Sequence, residues 1–281
     1  MSATLQEQTS EGRVKEGLSD WLVLTRRNVL TYVRKPDLLV FSTIQPVMFV
    51  LLFVYVFGGA MELALPPTIP YVDFLMPGII IQTSIFAATQ TGVGLAEDLT
   101  KGLIDRFHSL PMARSAVLAG RTFADSFAIT FQILLMLLVA FFVGFRFHDG
   151  LTNAVLAVLG AISVGYAFTW LAAFTGLRLR SVEAVQAASF TIIFPFVFAS
   201  TAFVPPSTFP DWLQTIARYN PVSIWVDTFR LLTLGDVYAR YQASVGVPLP
   251  PVGSMVLRST LWFLTFLVAF VPLSVRRYRR T

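Results

Sequence analysis

Six apolar stretches, each close to the length that crosses a bilayer, constrain this 281-residue chain more than any other feature. They run Leu38–Phe57, Phe74–Leu95, Ala124–Phe145, Leu151–Phe174, Ala184–Val204 and Val252–Val275. A helix of about 20 apolar residues spans the roughly 30 Å of hydrocarbon in a membrane. Within that layer each backbone N–H and C=O must be paired inside the segment, which a helix does by itself. The pattern predicts an all-α integral membrane protein with six transmembrane helices, the third extending as a helix back to about Ser115. Composition agrees: 13% of residues are charged and 26 are Phe, against about 25% charged in soluble domains. The length fits one bundle, with no room for a second soluble domain of ordinary size.

Lys and Arg in the connecting segments set the expected orientation, because basic residues are retained on the cytosolic side. With the N-terminus inside, the cytosolic parts hold Arg13, Lys15, Arg26, Arg27, Arg34, Lys35, Lys101, Arg106, Arg114, Arg121, Arg178, Arg180, Arg276, Arg277, Arg279 and Arg280, most of the 21 basic residues. Arg146, Arg218, Arg230, Arg240 and Arg258 remain for the outside or the outer ends of spans. Both tails are then cytosolic, which requires an even number of spans. Residues 1–17 are polar, lack the apolar core of a secretory signal, and read as a disordered cytosolic tail; residues 276–281 form a basic one. Between tail and first span, Leu18, Trp21, Leu22, Thr25, Val29, Tyr32 and Val33 recur at helical spacing. Residues 18–35 therefore read as an amphipathic helix on the inner membrane surface, or else as a cytosolic end of the first span. Pro36 breaks it.

Several chemistries are excluded. There is no Cys, and His108 and His148 are the only histidines, so disulfides, thiol chemistry and His-rich or Cys-ligated metal sites are ruled out. The net charge of +5 is scattered in short clusters between apolar runs, which argues against nucleic acid. A phosphate-binding loop needs Gly-Lys-Ser/Thr, yet the three lysines are followed by Glu16, Pro36 and Gly102. The chain has no nucleotide site of that type and is expected to bind no cofactor. Ion-coupled transporters keep ionisable residues deep in their spans despite a cost of about 2.5–3.5 kcal/mol each; here the span centres lack them. Asp125 comes nearest, with Arg121 one turn earlier as an intrahelical partner, and Asp73, Glu183 and Arg258 sit at span ends. No Ser/His/Asp set or paired carboxylates suggest a hydrolase.

One cytosolic loop is built differently. From Glu97 to Pro111, Leu99, Leu103, Phe107 and Leu110 recur at helical spacing. Glu97, Asp98, Lys101, Asp105 and His108 occupy the other faces, and Glu97–Lys101 is a favourable i, i+4 pair. Pro111 ends the segment. So short a helix is marginal alone in water and needs a surface to pack on; the alternative is a solvated loop with incidental amphipathicity.

In order along this loop, Glu97, Gly102, Arg106, Pro111, Arg114, Gly120 and Arg121 resemble the cytosolic loop of ABC-2 type exporter permeases, daunorubicin-resistance permeases in particular. Gly144-Phe145-Arg146-Phe147, and Phe209-Pro210-Asp211-Trp212 through Asn220-Pro221 to Arg230, are similar to the same family, so the resemblance covers nearly the whole chain. It implies a permease subunit in a bacterial cytoplasmic membrane, paired with a second copy or a sibling. Two cytosolic ATPase subunits would bind the ATP and Mg, and an amphipathic drug, lipid or glycan would be exported. It implies that Glu97–Leu110 is the coupling helix, with Glu97, Asp98, Lys101, Gly102, Leu103, Asp105, Arg106, Phe107, Leu110, Pro111 and Arg114 at the ATPase interface. Leu103 and Phe107 would be its buried anchors. The rival readings are an ion-coupled secondary transporter and a membrane scaffold without transport.

Two further patterns stand out. In the second span Gln82, Phe86, Thr89 and Gln90 share a helical face that either lines a substrate pathway or hydrogen-bonds between helices, at about 0.6 kcal/mol per bond. In the fourth, Ala157, Ala161 and Gly165 repeat every four residues, allowing close backbone approach. Pro46 and Pro195 are expected to kink their spans. The segment 205–251 reads as two short helices split at Asn220-Pro221. The family resemblance makes them a re-entrant outer gate; on sequence alone an interfacial amphipathic hairpin fits equally.

Overall fold

The computed structural model describes residues 36–103 and 114–280. The tail 1–17, the helix expected over 18–35, and Asp105, Arg106, Phe107, Leu110 and Pro111 lie outside the described residues. Those described are helical, with no strand among them.

Helix α1 spans Pro36–Leu51 and runs into a π-turn, Leu52–Val56, followed by the short α2, Gly58–Glu62. Next come α3, Tyr71–Thr100; α4, Arg114–Val143; α5, Gly150–Leu179; and α6, Val182–Phe198. After one 3₁₀ turn at Pro206–Thr208, the short helices α7, Asp211–Tyr219, α8, Pro221–Leu234, and α9, Asp236–Ser244, lead into α10, Val252–Arg279. Four of these helices, α3, α4, α5 and α10, are long and apolar enough to cross a membrane. The first and fifth expected spans are shorter apolar helices, Thr43–Val56 and Val182–Phe198. The helical extension expected before the third span is present, since α4 starts at Arg114.

The boundaries have local causes. Pro221 supplies the fixed φ suited to a first helical turn, and the Asn220 side chain caps α8 by accepting from the Val222 amide at 2.9 Å. Arg180, left-handed at φ 58°, ends α5. Ser181 then caps α6, accepting from the Ala184 amide at 3.3 Å and donating to Glu183 at 2.7 Å. The α5–α6 connection is thus a tight reversal.

Helix α3 is the axis of the bundle. Its residues from Tyr71 to Ala96 are mostly buried, and α5 lies against it along most of its length. Small residues permit this. A Cβ on Gly176 would stand 2.4 Å from the Gly92 carbonyl oxygen, and one on Gly92 2.5 Å from that of Ala172. Ala157 and Ala161 are buried, and a Cβ on Gly165 would meet Ile129 at 2.8 Å. The small-residue repeat read from the sequence therefore serves packing. Helices α1, α4, α6 and α8 surround α3, and α10 closes the bundle against α5.

The outward faces are apolar. Phe123, Phe127, Phe131, Leu134 and Leu138 on α4, and Leu257, Leu261, Leu264 and Val268 on α10, are exposed. A soluble protein seldom leaves apolar patches on this scale; a bilayer satisfies them.

Candidate functional site

Three polar features interrupt this apolar bundle. The first lies at the end carrying Arg121. Glu97 and Lys101 form the expected ion pair at 2.9 Å. However, residues 97–100 are the last turn of α3 rather than the start of a separate helix. The Lys101 amide bonds back to the Glu97 carbonyl and the Gly102 amide to that of Leu99. Gly102 takes φ 66°, the left-handed conformation that stops helices, and Leu103 is helical again. The expected coupling segment is therefore broken at Gly102. Arg114 opens α4. Beside these residues, the Arg121 guanidinium forms an ion pair with Asp98 of α3 and stands 3.7 Å from Asp125. A Cβ on Gly94 would collide with its Nη2 at 1.8 Å. The Arg121–Asp125 pairing was legible at i, i+4 spacing, whereas the tie from α4 to α3 was not. Below it, Leu95, Leu118, Trp170, Ala173, Leu177 and Tyr278 pack α3, α4, α5 and α10 into a small core.

The second feature is a cleft of about 200 Å³ between α1, α3, α4 and α6. All four residues singled out on the second span, Gln82, Phe86, Thr89 and Gln90, line it, joined by Gln45 of α1, Gln132 of α4 and Phe190 of α6. The hydroxyls nearby turn back on their own helix: Thr83 bonds the Ile79 carbonyl at 2.8 Å, Ser84 that of Ile80 at 2.9 Å, and Thr89 that of Phe86 at 2.7 Å. The Phe86 and Phe190 rings, with centroids 5.7 Å apart, form an aromatic wall. The cleft is polar in its amides, apolar in its walls and uncharged, a combination suited to an amphipathic molecule.

The third feature sits at the opposite end, where the two short helices expected to split at Asn220-Pro221 are present. Helices α7 and α8 meet at Asn220, whose side-chain nitrogen donates to the Phe196 and Ala199 carbonyls at 2.7 and 3.0 Å. Helix α7 is strongly amphipathic and leaves Trp212, Ile216 and Tyr219 exposed, whereas α8 is buried from Val222 to Leu234 apart from Ile224. Trp225 near its start packs on Phe168 and Phe266, while His148 donates its backbone N–H to the carbonyl of Thr233 near its end. Phe168 lies eighteen residues into α5, about 27 Å at 1.5 Å per residue. Helix α8 is therefore buried within the bundle, packed on α5 and α10.

Arg230 of α8, 0% exposed, holds it there. Its Nε donates to the Phe74 carbonyl at 2.8 Å, Nη2 to that of Ala202 at 3.1 Å, and Nη1 to Asp227 at 3.1 Å. Its guanidinium carbon stands 3.6 Å from the Phe74 ring centroid. Asp227 Oδ1 also accepts from Tyr238 at 2.8 Å and Thr201 at 3.0 Å. Burial, and secondarily the Asp227 charge, push the Tyr238 hydroxyl above its ordinary pKa, so it stays a proton donor. Nearby, Asp73 accepts from the Arg146 amide at 2.9 Å and pairs with His148 at 2.7 Å. The sequence does carry a signal for this network: an Asp and an Arg three residues apart inside an apolar run.

Among the described residues, no group of three His, Cys, Asp or Glu side chains converges as a metal site would require.

The ABC-2 type transporter family matches residues 19–234. Among individual relatives, the daunorubicin resistance ABC transporter permease protein DrrB1 of Streptomyces coeruleorubidus is 32% identical over 197 residues, 70% of this chain and 69% of its own length. The putative transport permease ycf38 of Porphyra purpurea is 25% identical, over 91% of this chain and 88% of its own. The probable doxorubicin resistance ABC transporter permease protein DrrC of Mycobacterium tuberculosis is 24% identical, over 80% and 81%. The family match takes in the cleft, the Arg121 cluster and the buried helix α8 together, and the chain belongs to the ABC-2 type transporter membrane family.

Proposed function

We propose that this chain is the membrane-spanning subunit of an ATP-driven exporter that moves an amphipathic substrate out of the cytoplasm, with ATP and Mg bound by a separate ATPase subunit. The observation that carries the reading is the cleft. Four side chains spaced along one face of α3 meet two further amides, Gln45 and Gln132, in one cavity. Its two hydroxyls, Thr83 and Thr89, are spent on α3's own carbonyls, which weighs against a purely interhelical bonding role. Gln82, Phe86, Thr89 and Gln90 then serve as a substrate surface, with α1 and α6 as its movable walls.

In this reading α1 with its π-turn and α6 also cross the membrane, giving six spans, and both termini are cytosolic. The 16 residues of α1 and five of the π-turn supply about 30 Å at 1.5 Å per residue. The amphipathic hairpin of α7 and α8 is re-entrant from the outside and forms the outer gate. The segment from Glu97 to Arg114 docks on the ATPase through Leu103, Phe107 and Arg106. The Arg121 bridge passes that contact to α3 and α4, and two permease chains complete the complex with two ATPases. Substrate binding and ATP-driven closure bias the chain between inward- and outward-open arrangements.

Co-expression with any ATP-binding-cassette ATPase found in a neighbouring reading frame tests the proposal. The two should co-purify, and an amphipathic cationic dye should stimulate ATP hydrolysis. Phe107→Ala or Arg106→Ala should abolish the stimulation while the chain remains inserted. Ion-gradient-driven flux by the purified chain alone in liposomes would overturn it. With no Cys in the chain, Asp105→Cys gives a single label site, which should react only after the cytosolic side is exposed.

A further inference from the structure

Beside the buried arginine, α7, the loop Val247–Pro250 and the start of α10 enclose a cavity of about 370 Å³, within the range of small-ligand pockets. Its floor holds Asp227 and Gln242, and its sides carry Asp211, Arg218 and Arg258. Unlike the cleft between α1 and α6, it is charged.

The hydrogen-bond chain fixes what the floor offers. Tyr238 has one proton and gives it to Asp227 Oδ1. It can therefore only accept from Gln242, so the Gln242 amide must turn its nitrogen to Tyr238, at 2.5 Å. That leaves Gln242 Oε1 buried without a partner, on a side chain 0% exposed. An orphaned buried acceptor costs about 1–3 kcal/mol, and here it borders a cavity that can hold a donor. Thr201, Arg230 and Tyr238 all bond Asp227 through Oδ1, which leaves Oδ2 for the same cavity. The floor thus presents two acceptors, one of them anionic. Arg218 and Arg258 form no ion pair among the described residues and are exposed; they offer two guanidinium forks to an anion.

Donor-seeking floor and anion-seeking rim together match a zwitterion with a primary ammonium at one end and a phosphate at the other. The cavity is flanked by apolar surface that suits acyl chains: Trp212, Ile216 and Tyr219 on α7, and Leu257 and Leu261 on α10, are all exposed. Trp and Tyr favour the head-group level of a bilayer. We propose that this cavity binds the phosphoethanolamine head group of a membrane phospholipid, with the ammonium on Asp227 and Gln242 and the phosphate between Arg218 and Arg258. The bound lipid then fills the space between α7 and α10 beside α8.

The test uses the full chain in nanodiscs of phosphatidylcholine, doped with equal amounts of phosphatidylethanolamine, phosphatidylglycerol or neither, and read by thermal unfolding and native mass spectrometry. Phosphatidylethanolamine should raise the unfolding midpoint and remain bound, whereas phosphatidylglycerol and the undoped disc should do neither. Arg218→Gln with Arg258→Gln, both at exposed positions, should weaken retention at least tenfold without changing the midpoint in undoped discs. Gln242→Leu should erase the preference for ethanolamine over choline. Equal stabilisation by phosphatidylcholine and phosphatidylethanolamine would overturn the proposal, as would unchanged retention by the double arginine variant. Equal binding of soluble glycerophosphoethanolamine would overturn the assignment to a lipid.

Discussion

Replacing Arg230 with Met tests whether the buried helix α8 is held by charge or by apolar contact alone. The guanidinium makes short bonds to two carbonyls and to Asp227 and lies on the Phe74 ring at 3.6 Å. Met keeps much of the stem's bulk and removes every donor. Asp227 is then a buried carboxylate without its counter-charge, and removing one partner of a buried pair costs about 3–5 kcal/mol. The stranded Phe74 and Ala202 carbonyls, at about 1–3 kcal/mol each, and a desolvated cation–π contact of about 2 kcal/mol overlap with that cost and do not simply add. A loss of at least about 3 kcal/mol is expected. Steric trapping in bicelles gives the unfolding free energy of a membrane protein directly and should report it. Combining Arg230→Met with Asp227→Leu removes both charges, and apolar replacement of a whole buried pair is often close to neutral. The double variant should therefore cost at least about 2 kcal/mol less than the two single costs summed. A single-variant loss below about 1 kcal/mol, or strict additivity in the double variant, would refute the reasoning.

Gly176→Val should separate α3 from α5, because even a Cβ meets the Gly92 carbonyl at 2.4 Å; overpacking of this kind costs about 1–3 kcal/mol or more, and insertion yield with thermal unfolding will read it. Arg121→Gln should leave Asp98 and Asp125 repelling one another. Substrate-stimulated hydrolysis should fall while the chain still co-purifies with the ATPase, and Arg121→Lys should restore part of it. Gln82→Leu with Gln90→Leu turns two amides of the cleft apolar, and should shift the dose dependence of dye-stimulated hydrolysis toward more apolar dyes.

Much of this architecture was readable from periodicity. The long apolar runs gave α3, α4, α5 and α10 to within a few residues, the Ala157–Ala161–Gly165 repeat named a packing face, and Asn220-Pro221 marked the split between α7 and α8. Those signals are local, set by spacing and by the fixed chemistry of Pro and Asn. The four residues chosen on the second span do converge on one cleft, because a helical face is also a local property. What escaped was non-local. Arg230 reads as a basic residue for the outside or the outer end of a span, and only the three-dimensional fold shows it enclosed by Phe74, Ala202 and Tyr238. Helix α9 escaped because its buried residues, Tyr238, Tyr241 and Gln242, carry polar tips that blur an apolar stripe. Gly102 looked like one residue within an amphipathic segment, yet with no Cβ it adopts the left-handed turn that cuts the segment there.

The contact between Gly92 and Gly176 has a mechanical corollary. Two rods whose main chains touch, with no side chains between them to shear or re-seat, neither slide nor roll past each other without breaking that fit. Helices α3 and α5 thus form a stiff keel running the depth of the molecule, and any change of shape must swing the lighter elements about it. Helix α6, joined to the keel by a two-residue reversal at Arg180 and Ser181 and buried along only one stripe, is one such element.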